Sequence, residues 1–140
     1  MKSVPEHEVH YNNIIDFDRL VELNIKQYGE YSRFNNPLIK KGISRMVELA
    51  HKKGILEMIS IEINGRIEGV DAAVIFGNWY HTLIGGVNNQ RVPNLGKLMN
   101  VLDIKNAIAK KAGFVDFFAT SGYWKELWGF DKEMLFKFLK

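Results

Sequence analysis

The residues best placed for chemistry are Gln90-Arg91-Val92-Pro93-Asn94-Leu95-Gly96-Lys97. They lie between a strand-like run ending near Val87 and an apolar-faced helix starting near Asn94. A turn that delivers several backbone N–H groups to a helix N-terminus is an anion site, because the unsatisfied donors and the helix dipole both favour negative charge there. Arg91 and Lys97 flank the turn with fixed positive charge, which suits a phosphate or pyrophosphate; the plain alternative is a pair of solvated loop and helix residues. Just upstream, Gly85-Gly86 interrupts the strand, and glycine inside a strand marks a bulge or a close backbone approach.

The other candidate groups are scattered. Asp71 sits in the apolar run Gly69-Val70-Asp71-Ala72-Ala73, where a carboxylate is costly unless exposed or paired. It reads as an outward polar position, with an amine contact or general base as the sharper alternative. Of His7, His10, His51 and His81, no set has metal spacing on one element, and only His81, on the strand nearest the turn, is a candidate base. Lys125 lies between Trp124 and Trp128, where it either snorkels over aromatic surface or acts chemically. Asp116 reads as a capping or hydrogen-bonding residue, and Glu57 and Glu62 as solvent-face strand residues.

These groups need a scaffold of helices and strands. A strand around Val9 to Tyr11 precedes a helix opened by Asp16-Phe17-Asp18 and ending near Gly29. Asn36-Pro37, a cap followed by proline, opens a second helix that ends at Gly54. Ile55 to Ile63 alternates as a strand, Asn64-Gly65 turns it into Ile67 to Phe76, and Gly77-Asn78 leads to Trp79 to Val87. A helix from Asn94 to Ala112, closed by Gly113, is followed by a strand Phe114 to Ala119. A short helix Gly122 to Trp128 and a strand Glu133 to Leu139 end the chain. The order β-α-α-β-β-β-α-β-α-β predicts an α+β fold, a mixed, mostly antiparallel sheet flanked by helices in one domain over residues 1–140.

Composition narrows the function classes. A chain of 140 residues, 46% hydrophobic and 25% charged, fits one globular domain. No apolar run is long enough to span a membrane, and the first dozen residues lack the apolar centre of a signal peptide. With no cysteine there is no disulfide, thiolate metal site or cysteine nucleophile, which suits a cytoplasmic protein. A net charge of +3 permits an anionic ligand but does not point to DNA.

The element order and the turn together resemble the GNAT superfamily of acyl-CoA N-acyltransferases. That superfamily's pyrophosphate signature is Gln or Arg, two variable residues, Gly, one variable residue, then Gly or Ala. Arg91-Val92-Pro93-Asn94-Leu95-Gly96 matches it at the first and last positions, with Asn94 in place of glycine. Asp116-Phe117, Lys125 and Trp128-Gly129 resemble the acetyltransferase branch linked to cellulose and polysaccharide biosynthesis, which shares its fold with the Fem-type peptidyltransferases. Trp124 replaces that branch's tyrosine, and Thr120 stands where it has glycine.

The resemblance implies acetyl-CoA or another acyl-CoA as co-substrate and no metal. Its pyrophosphate would sit on the amides of Asn94, Leu95, Gly96 and Lys97 with Arg91 assisting. Its pantetheine arm would pair with backbone at Ile84, Gly85, Gly86 and Val87, and a backbone N–H of that strand would polarise the thioester. A small amine or amino sugar would attack directly. The relatives' thiolate-protonating tyrosine aligns with Lys125, with Tyr123 two residues away, so the acid stays open. Members of the branch often carry two halves, so a homodimer is expected of this single half. Two other readings remain: a non-catalytic binding module of the same fold, and a Fem-type aminoacyl-tRNA-dependent transferase.

Overall fold

The computed structural model describes residues 3–118 and 123–134. Strand β1 is Glu8–Tyr11, followed by helix α1, Phe17–Tyr28, and helix α2, Pro37–Lys52. Strands β2 (Leu56–Ile63), β3 (Arg66–Phe76) and β4 (Trp79–Val87) form a continuous meander. Helix α3 (Leu95–Ala109), strand β5 (Phe114–Asp116) and the short helix α4 (Tyr123–Leu127) complete the described chain. The five strands make one sheet in sequence order. All neighbours are antiparallel except β4 and β5, which run parallel because α3 carries the chain back across the sheet. This is the α+β architecture expected from the sequence.

Local chemistry explains the boundaries. The Asn36 side chain accepts hydrogen bonds from the N–H groups of Leu38 (3.0 Å) and Ile39 (3.3 Å), with Pro37 pre-set for the first turn of α2. Asn64 and Gly65 both take positive φ, which the two-residue β2–β3 hairpin demands. Helix α3 stops three residues before the expected end: Lys111, not Gly113, holds the left-handed conformation behind it. Gly113 serves another purpose, since the space its Cβ would fill is taken by the Asn78 side chain, which caps the Gly113 N–H at 2.7 Å.

The sheet is covered on both faces. One face packs Met58, Val70 and Ala72 against Leu20, Leu23, Phe34 and Val47 of the α1–α2 layer. The other packs Ile59, Ile61 and Ile63 against Leu95 and Met99 of α3. Each fully buried Leu or Ile contributes about 1.5–3 kcal/mol through burial. Two-sided cover corrects one expectation: Glu57 is buried, not on a solvent face, and is held by Asn106 Nδ2 (2.9 Å) and Lys110 Nζ (3.3 Å) of α3. Strand β5 is shorter than expected, and only Ala119, the last residue of its expected span, lies outside the described residues. Glu133 and Met134 are not in a strand, and the rest of the expected final strand lies outside the described residues. No helix among the described residues is long and apolar enough to cross a membrane.

Candidate functional site

Strands β4 and β5 pair only at their start. Trp79, Tyr80 and His81 pair with Phe114, Val115 and Asp116, and the pairing ends there. Beyond that point β4 continues to Val87 with, among the described residues, only β3 beside it. The register of β4 on β3 slips between Ala72–Ile84 and Ala73–Thr82, so Leu83 is an extra, bulged residue that bends β4 away from β5. The bulge lies one residue before the Ile84-Gly85-Gly86 run, close to where the glycine pair suggested one.

Helix α1 braces the edge that this splay exposes. The Asn88 N–H points at the β3 carbonyl of Glu68 (2.9 Å), so by strand alternation Val87 and Gly85 point the other way. There the Val87 N–H donates to Gln27 Oε1 (3.0 Å), and Asn24 Nδ2 donates to the Gly85 carbonyl (2.6 Å). Asn24 is itself fixed by Ser32 Oγ, which donates to its Oδ1 at 2.7 Å. Gly86 makes this approach feasible: a Cβ there would lie 2.8 Å from Leu23 C and 2.9 Å from Leu20 O.

The splay opens into a groove of about 1020 Å³. Ile84, Gly85, Gly86, Val87, Asn94, Gly96, Lys97, Asp71 and Lys125 all line it, so most residues singled out in the sequence converge on one place. Asn94 caps α3 in left-handed backbone, φ 66°, the conformation a glycine-type signature position requires. At the turn itself the Leu95 N–H already meets the Val92 carbonyl (3.4 Å), and the Gly96 N–H meets Asn89 Oδ1 (3.1 Å). The Asn89 side chain thus covers the Gly96 N–H. Leu95 is wholly buried and anchors the helix through its side chain.

Two of the sequence candidates sit differently. Arg91 is not among the groove-lining residues: its guanidinium donates to Glu68 Oε1 at 2.8 Å. Glu68 is completely buried, and its Oε2 accepts from Asn88 Nδ2 at 2.9 Å. One carboxylate thus clamps the turn at Asn88 and again at Arg91, and Arg91 supports the turn from behind. His81 lies outside the groove, its Nδ1 3.2 Å from Asp116 Oδ2 and its ring stacked on Trp79. Alternation is the cause, since Tyr80 takes the α3 face and leaves His81 on the opposite one. Asp116 caps its own turn, accepting from the Phe118 N–H at 2.8 Å, as the sequence suggested. Lys125 lines the groove and donates to the carbonyls of Phe117 (2.6 Å) and Phe118 (3.0 Å), tying the β5–α4 loop together. Burial pushes its ammonium pKa down, while the nearby Asp116 opposes that shift. Tyr123 opens α4, and its side chain lies outside the described residues.

The sequence reading missed Asp103. It lies on α3 in line with Leu95 and Met99 at helical spacing, is 1% exposed, and accepts from the Tyr80 hydroxyl at 3.0 Å. A carboxylate in register with two core residues was the available signal. Its side chain also hydrogen-bonds Asp71. Burial raises the Asp71 pKa well above the usual carboxylate range, with the Asp103 charge adding to it. Burial likewise lifts Asp103, to about 6, against the hydrogen bonds from Asp71 and Tyr80. The Tyr80 hydroxyl is pushed up by burial and then by Asp103, and Tyr28, which lines the same groove, is raised by burial and then by Asp71.

A splayed β4–β5 pair with a helix-capping turn at its mouth defines a class of acyltransferase domain. The family model described as "Acetyltransferase (GNAT) domain" matches residues 5–126, and the chain belongs to that family. Solved structures share the fold at low identity. An acetyltransferase predicted for Clostridium acetobutylicum, solved with acetyl-CoA, is 14% identical, with 96% of each chain covered and a TM-score of 0.72. AAC(6')-Iy in complex with the bisubstrate analog CoA-S-monomethyl-acetylneamine is 11% identical, over 96% of this chain and 98% of that one, with a TM-score of 0.67. An aminoglycoside acetyltransferase from an uncultured soil metagenomic sample, in complex with sisomicin, is 10% identical over 96% and 95%, with a TM-score of 0.66. No curated protein sequence matches the chain.

Proposed function

We propose that this chain is a single-domain, acyl-CoA-dependent N-acyltransferase that acylates a small-molecule amine. The observation that carries the reading is the outer edge of β4, bent from β5 at Leu83 and facing a groove that runs to the α3 turn. An extended pantetheine arm can lie along such an edge, meeting backbone that the Asn24 and Gln27 side chains leave uncovered. The pyrophosphate takes the α3 N-terminus, where Gly96 leaves room for close approach and Lys97 supplies charge. The Gly85 N–H, on the same edge as its carbonyl, polarises the thioester. The amine nitrogen then attacks the carbonyl carbon, the C–S bond breaks, and the thiolate leaves with a proton. Positioning and electrostatics suffice for this chemistry, with no covalent enzyme intermediate. Asp116-Phe117 and Lys125 followed by Trp128 support placing the chain near the polysaccharide-biosynthesis branch of the family.

Calorimetric titration of acetyl-CoA into the wild type and Lys97→Ala tests the donor half. Binding that weakens about tenfold in the variant supports the reading, since one charge-assisted phosphate contact is worth about 1.5–3 kcal/mol. Absence of wild-type binding at millimolar ligand overturns it.

A further inference from the structure

Strand β1, at one edge of the sheet, sets two metal-ligating side chains beside a third on β2. Val9 packs with Ile61 and Ile63 on the α3 face, so alternation puts Glu8, His10 and Glu62 together on the other face. Glu8 and Glu62 are direct cross-strand partners. His10 Nε2 lies 2.9 Å from Glu62 Oε2 and 4.0 Å from Glu8 Oε2. One ligand atom from each of the three residues lies within 4.8 Å of the other two. A tetrahedral zinc ion holds its nitrogen and oxygen ligands at about 2.0–2.1 Å, which sets them about 3.3–3.4 Å apart, and the two distances from His10 straddle that spacing. His10 and Glu62 are 37% and 31% exposed and Glu8 is 79% exposed, so two ligands are steadied by the sheet while the third can swing in. Like charges directly opposite on paired strands repel, and an imidazole bonded to one carboxylate leaves the other facing it. Among the described residues no lysine or arginine is ion-paired with Glu8 or Glu62: Arg19 of α1 is turned to Glu22 and Glu68, and Arg66 of β3 to Glu68. A divalent cation supplies the missing charge, and the imidazole favours zinc over magnesium or calcium, which prefer oxygen ligands throughout.

We propose that Glu8, His10 and Glu62 bind a zinc ion that fastens β1 to β2. His10 Nε2 turns its lone pair to the ion, any proton it shares with Glu62 is released, and the Glu8 carboxylate closes on the metal. Water takes the fourth position on the exposed side. His10 and Glu62 stand 52 residues apart, so spacing along one element does not reveal the site. The site also bears on the groove. Only Pro5, Glu6 and His7 separate β1 from Val4, which packs against the cluster containing Leu95 and Met99. Ser3 and Val4 both line the groove. An ion that fixes β1 therefore steadies a strap forming part of the groove wall. Its role is structural, and the proposal does not depend on the acyl-transfer reading.

The test uses the untagged full chain, stripped with EDTA and titrated with zinc chloride by calorimetry, with magnesium and calcium chlorides as controls. Cobalt(II) absorption reports the coordination geometry, and amide hydrogen exchange is followed with and without zinc. The expected result is one zinc per chain, the intense visible bands of four-coordinate cobalt, and no response to magnesium or calcium. Exchange across residues 8–11 and 59–62 should slow with zinc. His10→Ala and Glu62→Gln should each weaken zinc binding at least tenfold, since loss of even an outer partner of a metal ligand costs about 10–100-fold. His7→Ala, His51→Ala and His81→Ala should leave zinc affinity within about twofold, because they lie outside the site. Absence of wild-type binding at submillimolar zinc overturns the proposal, as does affinity that survives in His10→Ala or falls as far in His81→Ala. Exchange in β1 that ignores bound zinc also overturns it, and this measurement on the wild type does not depend on any variant folding.

Discussion

Replacing Gly86 with alanine should loosen the bond between α1 and the sheet. The new Cβ would lie 2.8 Å from Leu23 C and 2.9 Å from Leu20 O, against 3.4–4 Å for ordinary contact. Both obstacles are helix backbone, so no rotamer change relieves them. Helix α1 must retreat by at least half an ångström, which forfeits about a quarter of the packing attraction of Leu20 and Leu23, both fully buried. Overpacking of this kind costs about 1–3 kcal/mol, and stretching the Asn24 bond to the Gly85 carbonyl adds about 0.5–1.5 kcal/mol. The restricted unfolded chain returns about 0.4–1 kcal/mol. The expected net loss is about 2–3 kcal/mol, a fall of roughly 6–12 °C in Tm for a domain of this size. Urea unfolding followed by tryptophan fluorescence measures it. Gly85→Ala is the control: its Cβ chiefly meets the carboxylate end of Asp71, which can swing aside. That variant should lose about 1 kcal/mol or less. A Gly86→Ala protein within 0.5 kcal/mol of wild type, or a Gly85→Ala protein destabilised more than it, refutes the close-approach reasoning.

Asn94→Ala forces a Cβ-bearing residue without amide support into φ 66° and should cost about 1–2 kcal/mol, whereas Asn94→Gly should be neutral; thermal unfolding compares them. Glu68→Ala leaves Arg91 and Asn88 without their shared acceptor, so a loss of about 3–5 kcal/mol is expected, with weaker acetyl-CoA binding because the turn is no longer clamped. Glu68→Gln should lose less; equal effects of the two variants would show that the charge is irrelevant. For Asp103, the folded pKa of about 6 lies above the unfolded carboxylate value of 3.8, so the folded state holds its proton longer as pH rises. That contribution to stability is full below pH 4 and declines above it, reaching a penalty on the order of 2–3 kcal/mol by neutral pH. Asp103→Asn should therefore match wild type near pH 4 and exceed it at pH 7 in chemical unfolding; a constant difference across pH would contradict the raised pKa.

Much of the scaffold was legible because its signals are local. Asn36-Pro37, Asn64-Gly65 and the left-handed Asn94 each dictate backbone within a few residues, and each element they bound lies close to its expected place. The groove lining from Ile84 to Val87 and at Gly96 and Lys97 followed from the order of elements around one turn. What escaped depended on partners distant in sequence. Arg91 faces Glu68 because β3 places a buried carboxylate behind the turn, and nothing near Arg91 announces it. His81 was placed near the site by position along β4, but alternation put it on the wrong face. Glu57 looked solvent-facing because alternation identifies two faces without saying whether α3 covers the second.

The groove is held open from the α1 side more than from β5. At its closed end, Thr82 Oγ donates to the Asp116 carbonyl at 3.1 Å, the last tie between the two strands. Beyond it, the bulge at Leu83 removes β4 from β5, and two amide side chains of α1 occupy backbone groups that a sixth strand or a second β5 segment would need. Those side chains reach β4 only because Gly86 lets the helix backbone in. Asn24 is in turn fixed by Ser32, whose Oγ also accepts from the Phe34 N–H at the entry to the α1–α2 connection. A change in that connection is therefore transmitted to the Gly85 carbonyl through two hydrogen bonds. The same glycine lies beneath the Asp71 carboxylate, so one residue joins the donor edge, the helix brace and the carboxyl pair. A side chain at position 85 would thus disturb the chemistry before it disturbed the fold.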